Sequence, residues 1–480
     1  MIFNNSKEIE ISNNYLKYAN SIRKHALNDY NDQLSLNVKK EDIKKVILIL
    51  AASRSGSSLL YEILKQTDQL MSLDGECTPF YKLHKCSFPF NNLKSDLIES
   101  NNSQCLNYLD NIFKDIALEI GIGSELQKFC FKDHSYSLIR RLALQWPNLG
   151  LSLDQWESYL NNSYAKINTS NSQWNINNFY SLLIKDIQFN NNNNNINNNI
   201  NNNINNNNNN NIINNNINNN ININYLYYDD TGNKKKFSKN ENFNKCPPNK
   251  YFCIEEPPFI FFKPRKRPCL DEYKSLPLII KTSVDAYRVS FVKKLFPKAE
   301  FKIIYLKRNP AASIHGLFKG WLHKGFYSHN LKNIKKLKIE GYSDIYEWGT
   351  NWWKFDLPPE WEKVTSHPLE YVCGFQWMSA NKSIIENINL ESQNDILIIK
   401  FEDFIENDTN RQKIFNNICK FIGIKLDNSI NKFLNNLPVV MATESPSNYR
   451  WKKHYDKIMN VVNQKDILEL SKLMGYSINN

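Results

Sequence analysis

The stretch Val46-Ile-Leu-Ile-Leu50-Ala-Ala-Ser-Arg54-Ser55-Gly56-Ser57-Ser58-Leu59-Leu60 decides the fold. Val46 to Leu50 is an unbroken aliphatic run, the pattern of a strand buried on both faces. Small and polar residues follow, and from Leu59 to Leu70 the apolar positions recur with a helical period. The order is strand, loop, helix. Gly56 among small hydroxyl residues lets successive backbone N–H groups converge on an anion, and the helix adds the partial positive charge of its N-terminus. A plain strand-to-helix turn also uses Ser and Gly as caps, so the stretch alone fits either reading. An ATP-binding loop of the form Gly-x-x-x-x-Gly-Lys-Ser/Thr fits poorly, because Ala51 replaces the first glycine and Ser57 the lysine.

Outward from this stretch, the same kind of apolar run returns at Leu278–Lys281, Phe301–Leu306 and Ile396–Phe401, with a helix expected over Phe291–Phe296 ahead of Pro297. Continuous apolar strands separated by helices imply a parallel sheet covered on both faces. The expected fold is α/β: a three-layer α/β/α domain of P-loop type with a central parallel sheet. The Trp-rich stretch from Trp348 to Trp377 is expected to pack on that sheet as helices and loops. A second anion site is suggested by Tyr305-Leu-Lys307-Arg308-Asn309-Pro310. Two adjacent cations there stand at a strand's carboxyl end, before a proline suited to a first helical turn. Arg308 can offer a phosphate two parallel N–H groups.

The chain has 480 residues, a formal net charge of +12 and a hydrophobic fraction of 41%, enough for one large domain with a sizeable core. From Asn190 to Asn224 every residue is Asn or Ile. Such a biased tract reads as a disordered insertion, extended by the Asn-rich and charged residues up to 250. The expected division is an N-terminal extension (1–45), a first part of the domain (46–189), the insertion (190–250) and a second part (251–480). Nine scattered cysteines without a Cys-x-x-Cys pair argue against a disulfide or zinc framework, and no metal site is expected. No apolar run reaches the length of a membrane span, and the first thirty residues lack a signal-peptide core, which points to a cytoplasmic protein. The positive balance calls for an anionic partner. The clusters Lys234–Lys236, Lys263–Arg267 and Lys332–Lys338 lack interleaved aromatic recognition residues and read as solvated surface, so no nucleic acid is expected.

Taken together, the two anion sites resemble those of sulfotransferases that use 3′-phosphoadenosine 5′-phosphosulfate (PAPS). Arg54-Ser-Gly-Ser-Ser58 resembles that family's loop for the 5′-phosphosulfate, and the strand ending in Lys307-Arg308-Asn309-Pro310 is similar to its 3′-phosphate site. Lys400-Phe-Glu-Asp-Phe404 resembles the family's Tyr-Glu-Asp-Leu segment, and Tyr449-Arg-Trp-Lys-Lys-His-Tyr455 its Gly-Asp-Trp-Lys-Asn-His-Phe element. Leu144–Pro147, Trp353–Pro359 and Cys373–Trp377 are similar to phrases of the large bacterial-type members. The resemblance implies that Arg54, Ser55, Gly56, Ser57 and Ser58 hold the phosphosulfate, and that Arg308, with Arg450 and Lys452, holds the rest of the nucleotide. The usual serine eight positions after the 3′-phosphate arginine is here Gly316, for which Ser313 or His315 could substitute. Leu59 stands in place of a tryptophan, and Phe401 in place of a tyrosine.

Sulfuryl transfer requires positioning, a base for the acceptor's proton and a cation on the sulfuryl oxygens. The family's Lys-Thr-His triplet is Lys281-Thr282-Ser283 here, so the lysine remains as sulfuryl stabiliser and the histidine is missing. Glu76, in Asp74-Gly-Glu76-Cys-Thr-Pro79, is placed like the glutamate base of other branches, with His134 as the alternative. The implied activity is transfer of a sulfuryl group from PAPS to a hydroxyl or amine of a small-molecule acceptor. A P-loop kinase or NTPase, and a non-catalytic nucleotide- or RNA-binding protein, are the competing readings.

Overall fold

The computed structural model describes residues 6–28, 37–88, 94–126, 130–169, 178–183, 185–187, 254–255, 262–323, 325–442 and 448–477. The Asn/Ile insertion expected at 190–250 lies outside them. Among the described residues there are eight strands: β1 (Lys45–Leu50), β2 (Met71–Ser72), β3 (Gly121–Ile122), β4 (Leu278–Lys281), β5 (Glu300–Lys307), β6 (His329–Asn330), β7 (Trp352–Trp353) and β8 (Ile396–Lys400). Six form one sheet in the order β3-β2-β4-β1-β5-β8, while β6 and β7 pair separately. The large sheet is parallel except for β3, which runs antiparallel to β2 at one edge. The four long apolar runs of the sequence are therefore adjacent strands, and β1 lies between β4 and β5 with Ile49 opposite Lys281 and Leu50 opposite Tyr305.

Alternation along β1 separates two cores, as the pleat demands. Val46, Leu48 and Leu50 face one side and Ile47 and Ile49 the other, none more than 1% exposed. The helices that matter for the site are α1 (Ser6–Asn28), α2 (Ser57–Leu64), α3 (Phe131–Gln145), α4 (Pro310–Trp321), α5 (Leu369–Ile388) and α6 (Asp408–Ile422). Ile314 and Leu317 of α4 and Val372 and Trp377 of α5 fill the first core. Leu60 and Ile63 of α2 and Phe415 and Ile418 of α6 fill the second. This is the three-layer arrangement expected from the strand pattern. A further cluster joins Leu138 and Leu142 of α3 to Ile22 and Ala26 of α1, while Leu16 and Ala19 of α1 belong to the first core. The N-terminal helix thus bridges two cores.

The helix expected over Leu59–Leu70 ends earlier, at Leu64. The N–H of Lys65 returns to the carbonyl of Tyr61, and the next turn is pinned across the fold, where Thr67 donates to Asp427 and Gln69 Nε2 donates to the carbonyl of Lys425 at 3.0 Å. Leu70 is apolar because it enters β2, not because it continues the helical stripe.

The Trp-rich segment forms part of the first core, with Trp321, Trp353, Trp361 and Trp377 all at most 1% exposed. It wraps Lys354, whose ammonium donates to the carbonyls of His323 and Gly325 and faces the rings of Tyr327 and Trp348 at 4.8 Å. Arg265, in the Lys263–Arg267 cluster read as solvated surface, is instead 5% exposed. It donates to Ser72 Oγ and pairs with Asp74 at 3.0 Å.

Arg288 and Asp96 form a fully buried ion pair at 2.7 Å, and Asp96 also accepts from the N–H of Leu357 at 2.7 Å. Burial raises the Asp96 carboxyl, but His329, 3.2 Å away, then Arg288 and the Leu357 N–H hold it down at about 2. Removing the carboxylate leaves a guanidinium buried without its counter-charge, at a typical cost of about 3–5 kcal/mol. Asp96→Ala should accordingly lower the urea midpoint of unfolding far more than substitution of an exposed acid such as Glu360. Equal midpoints for the two variants would refute this assignment.

Candidate active site

The loop between β1 and α2 is shaped by two residues with positive φ, Arg54 at 67° and Gly56 at 95°. Gly56 is required on two counts: its backbone is left-handed, and a Cβ there would stand 2.1 Å from Cε2 of Phe401. Phe401 opens the helix after β8, and its ring carries the Arg308 guanidinium on its face at 4.5 Å. Arg308 Nη1 in turn donates to the carbonyl of Arg54 at 3.0 Å. Three strand ends, those of β1, β5 and β8, therefore meet through Gly56, Arg308 and Phe401. Asn309 caps α4 by accepting from the N–H of Ala312, while its own N–H is held by Glu402 Oε1 at 2.8 Å. Ser55 and Ser313 share a hydrogen bond of 2.9 Å between loop and helix.

Arg54 turns away from the loop's own axis. Its Nη1 donates to the carbonyl of Met441 at 2.6 Å and its guanidinium lies 4.8 Å from the Phe326 ring. Its stem rests on α4 at Gly316, where a Cβ would approach Arg54 Cβ to 3.3 Å, so a serine there would crowd the arginine. Burial, followed by repulsion from Arg308 and Arg450, lowers the Arg54 guanidinium to about 10. Burial, opposed by Glu402 and reinforced by Arg450, lowers Arg308 to about 10 as well. Mutual repulsion among buried guanidiniums of this kind is relieved by an anion placed between them.

On the β4 side, Lys281 stands at the strand's carboxyl end. Its ammonium contacts Glu76 Oε1 at 2.5 Å and Ser58 Oγ at 3.1 Å. The N–H of Cys77 donates to Thr282 Oγ1 at 3.1 Å, which fixes the Glu76 segment against the end of β4. Glu76, Lys281, Ser58, Arg54, Arg308 and Arg450 all line one cavity of about 260 Å³. A group held by the loop would thus have a cation and a carboxylate at its side, an arrangement suited to moving a charged group onto an acceptor that must lose a proton.

The profile of the family described as "Sulfotransferase domain" matches residues 44–446, most of the chain and every element of the site up to Met441. This chain is a member of the sulfotransferase family. Solved structures that it resembles include the sulfotransferase domain of the olefin synthase from Synechococcus PCC 7002, at 13% identity and TM-score 0.33, with 92% of this chain and 98% of that one covered. Another is sulfotransferase STF9 from Mycobacterium avium, at 10% identity and TM-score 0.36, with 97% and 84% covered. Among curated proteins no match was found. The protein is a transferase enzyme, and none of its described helices is long and apolar enough to cross a membrane.

Within this sulfotransferase fold, the expected site residues fall into two groups. Arg54, Gly56, Ser57, Ser58, Glu76, Lys281, Arg308 and Arg450 converge on the cavity. Ser55 turns into the protein, 2% exposed, towards Ser313. Lys452 is exposed on the turn Arg450–His454, stacked 5.0 Å from the Tyr449 ring, and does not line the cavity. His134 lies in the first turn of α3, with Nδ1 accepting from the N–H of Cys130, away from the cavity lining. Among the described residues no group of three or more His, Cys, Asp or Glu could hold a metal.

Sequence reasoning missed Asp356 and Ser53. Ser53 Oγ donates to Asp356 Oδ1 at 2.6 Å and Tyr287 OH to Oδ2 at 2.9 Å, tying the loop after β1 to the Trp-rich wall. The available signal was an acid inside the apolar phrase Trp353-Lys-Phe-Asp-Leu-Pro-Pro359. Burial raises the Asp356 carboxyl to about 6, against its two hydrogen bonds. A carboxyl raised by folding contributes stability below the ordinary aspartate range near 4, and that contribution is lost as pH rises through 6. The stability deficit of Asp356→Asn relative to wild type should therefore narrow by up to about 3 kcal/mol between pH 4 and pH 7. A deficit that stays constant across that range would contradict the raised value.

Proposed function

We propose that this sulfotransferase takes its sulfuryl group from PAPS and transfers it to a hydroxyl or amine of a small-molecule acceptor. The observation that carries this reading is the pairing of two anion sites on adjacent strand ends: the loop after β1 and the cationic end of β5, locked together by Phe401 and Gly56. A donor with a phosphosulfate at one end and a phosphate at the other needs two such sites. On this reading the N–H groups of the loop and the start of α2, with Ser57 and Ser58, hold the 5′-phosphosulfate. Arg308 and Arg450 hold the 3′-phosphate. Arg54 contributes charge from behind the loop.

In the reaction, the acceptor's oxygen or nitrogen attacks sulfur as the bond from sulfur to the 5′-phosphate oxygen breaks. The electron pair of that bond leaves on the nucleotide, which departs as 3′-phosphoadenosine 5′-phosphate (PAP). Lys281, adjoining Ser58 of the loop, stabilises the charge that spreads over the sulfuryl and bridging oxygens. Glu76 takes the acceptor's proton. Lys281 and Glu76 pair at 2.5 Å, so sulfuryl oxygens that draw the ammonium leave the carboxylate as a base.

Arg308→Ala should weaken PAP binding by tenfold or more, measured by calorimetry on folded protein. Unchanged affinity would overturn the nucleotide assignment. With an acceptor selected by screening with labelled PAPS, Glu76→Gln and Lys281→Ala should each lower turnover about 10²- to 10⁴-fold. If neither variant changes turnover, these two roles are wrong.

A further inference from the structure

The cavity follows the carboxyl edge of the sheet, and its two halves differ in chemistry. The segments after β1, β5 and β8 supply Arg54, Arg308 and Phe401 to its lining. The segments after β2 and β4 supply Glu76, Thr78 and Ser283, next to Lys281 at the end of β4. Ser328 and His329, where β6 begins, also line the cavity. His329 is tied to the β4 side, because Asp96 bridges it to Arg288, which follows β4 in the chain. With the nucleotide on the side of β1, β5 and β8, the acceptor falls to the side of β2 and β4.

His329 is 5% exposed, and its Nε2 lies 3.2 Å from Oδ2 of Asp96. The same oxygen accepts from the N–H of Leu357 at 2.7 Å, and Oδ1 accepts from Arg288 at 2.7 Å. Asp96, held down at about 2, is ionised near neutral pH and has no hydrogen to give, so Nε2 is the donor. Burial lowers the imidazole more than Asp96 raises it, with Lys82 and Arg288 adding to the fall, so the ring is neutral at pH 7. A neutral imidazole that donates from Nε2 keeps its lone pair on Nδ1. The edge-on Phe88 ring at 5.6 Å and the pairing of His329 with Trp353 of β7 hold the ring in place. A fixed hydrogen-bond acceptor therefore belongs to a residue of the cavity wall. A ligand without a matching donor would bury that nitrogen unpaired, and this is how a polar site rejects an analogue that lacks one hydroxyl.

We propose that Nδ1 of His329 accepts a hydrogen bond from a second hydroxyl of the acceptor, so that His329 selects polyhydroxylated acceptors, sugars and cyclic polyols, over molecules with a single hydroxyl. This rests on the PAPS reading above. The hydroxyl that receives the sulfuryl group lies against Glu76 and Lys281, and another reaches His329. Thr78, Ser283 and Ser328 add hydroxyls of the wall to the same recognition. Asp96 is a positioning residue, which sets the tautomer of His329 without touching the acceptor.

Initial rates of the full chain with labelled PAPS, at pH 7, test this with cyclohexanol and inositol, two six-membered rings that differ in their hydroxyls. Counted per hydroxyl, kcat/KM should be about 10- to 100-fold higher for inositol, in keeping with one hydrogen bond made or left unmade in a buried site. His329→Leu should raise KM for inositol about tenfold or more and leave kcat/KM for cyclohexanol and the affinity for PAP unchanged. His329→Gln keeps a donor for Asp96 and should show the same selective loss in a smaller degree, with the urea midpoint of wild type. A structural role alone would impair both alcohols alike. Equal efficiency per hydroxyl in wild type, no turnover of inositol by protein that binds PAP, or an equal loss for both alcohols in the two variants overturns the proposal while the PAPS reading stands. If wild type does not bind PAP at all, both fall.

Discussion

The contact between the Phe401 ring and the bare Cα of Gly56 governs the site. Any side chain at 56 would occupy the space of that ring. The ring also supports the Arg308 guanidinium, which reaches back to the Arg54 carbonyl. Without this closure, β1, β5 and β8 would each end in an independent loop. With it, the loop after β1 and the cationic end of β5 form one rigid edge. The left-handed backbone at Arg54, unfavourable for a residue with a side chain, is held there by the Met441 carbonyl and by the Arg308 hydrogen bond to its own carbonyl.

The layers of the fold could be read from the sequence because buried parallel strands leave a mark no loop imitates: aliphatic runs such as Val46–Leu50 and Leu278–Lys281. Their order in the sheet could not, since pairing of β1 with both β4 and β5 depends on contacts across more than two hundred residues. The two-residue strands β2 and β3 are too short for any pattern to register. The end of α2 was misplaced because Leu70 satisfies a helical period by coincidence, while the turn before it is fixed by Asp427 and Lys425 from a distant segment.

Much the same division holds at the site. Residues inside the two motifs converge as their spacing suggests, whereas residues that act from outside them were invisible. Asp356 reads locally as a polar interruption of an apolar phrase, and only the fold brings it to Ser53. Gly316 looked like the loss of a serine. In three dimensions it is the space Arg54 needs, and Gly320 one turn later does the same for the ring of Phe355. Lys452 sits in a motif yet faces solvent, because the turn Arg450–His454 is a 3₁₀ helix that exposes Lys452 and Lys453 together and leaves Arg450, Trp451 and His454 half-buried.

The positive balance of the chain also divides by residue type. Seven of its ten arginines are buried: Arg23, Arg140, Arg141, Arg265, Arg288, Arg308 and Arg411. Several are ion-paired inside the fold, as Arg288 is with Asp96. Of the described lysines only Lys65, Lys82 and Lys354 are buried. Arginine, with its planar fork of donors, fastens the interior, and lysine supplies the outer charge. Field and framework are thus chemically separable: a reagent or modifying enzyme that neutralises exposed lysines would erase the protein's long-range attraction for polyanions while leaving its internal fasteners untouched.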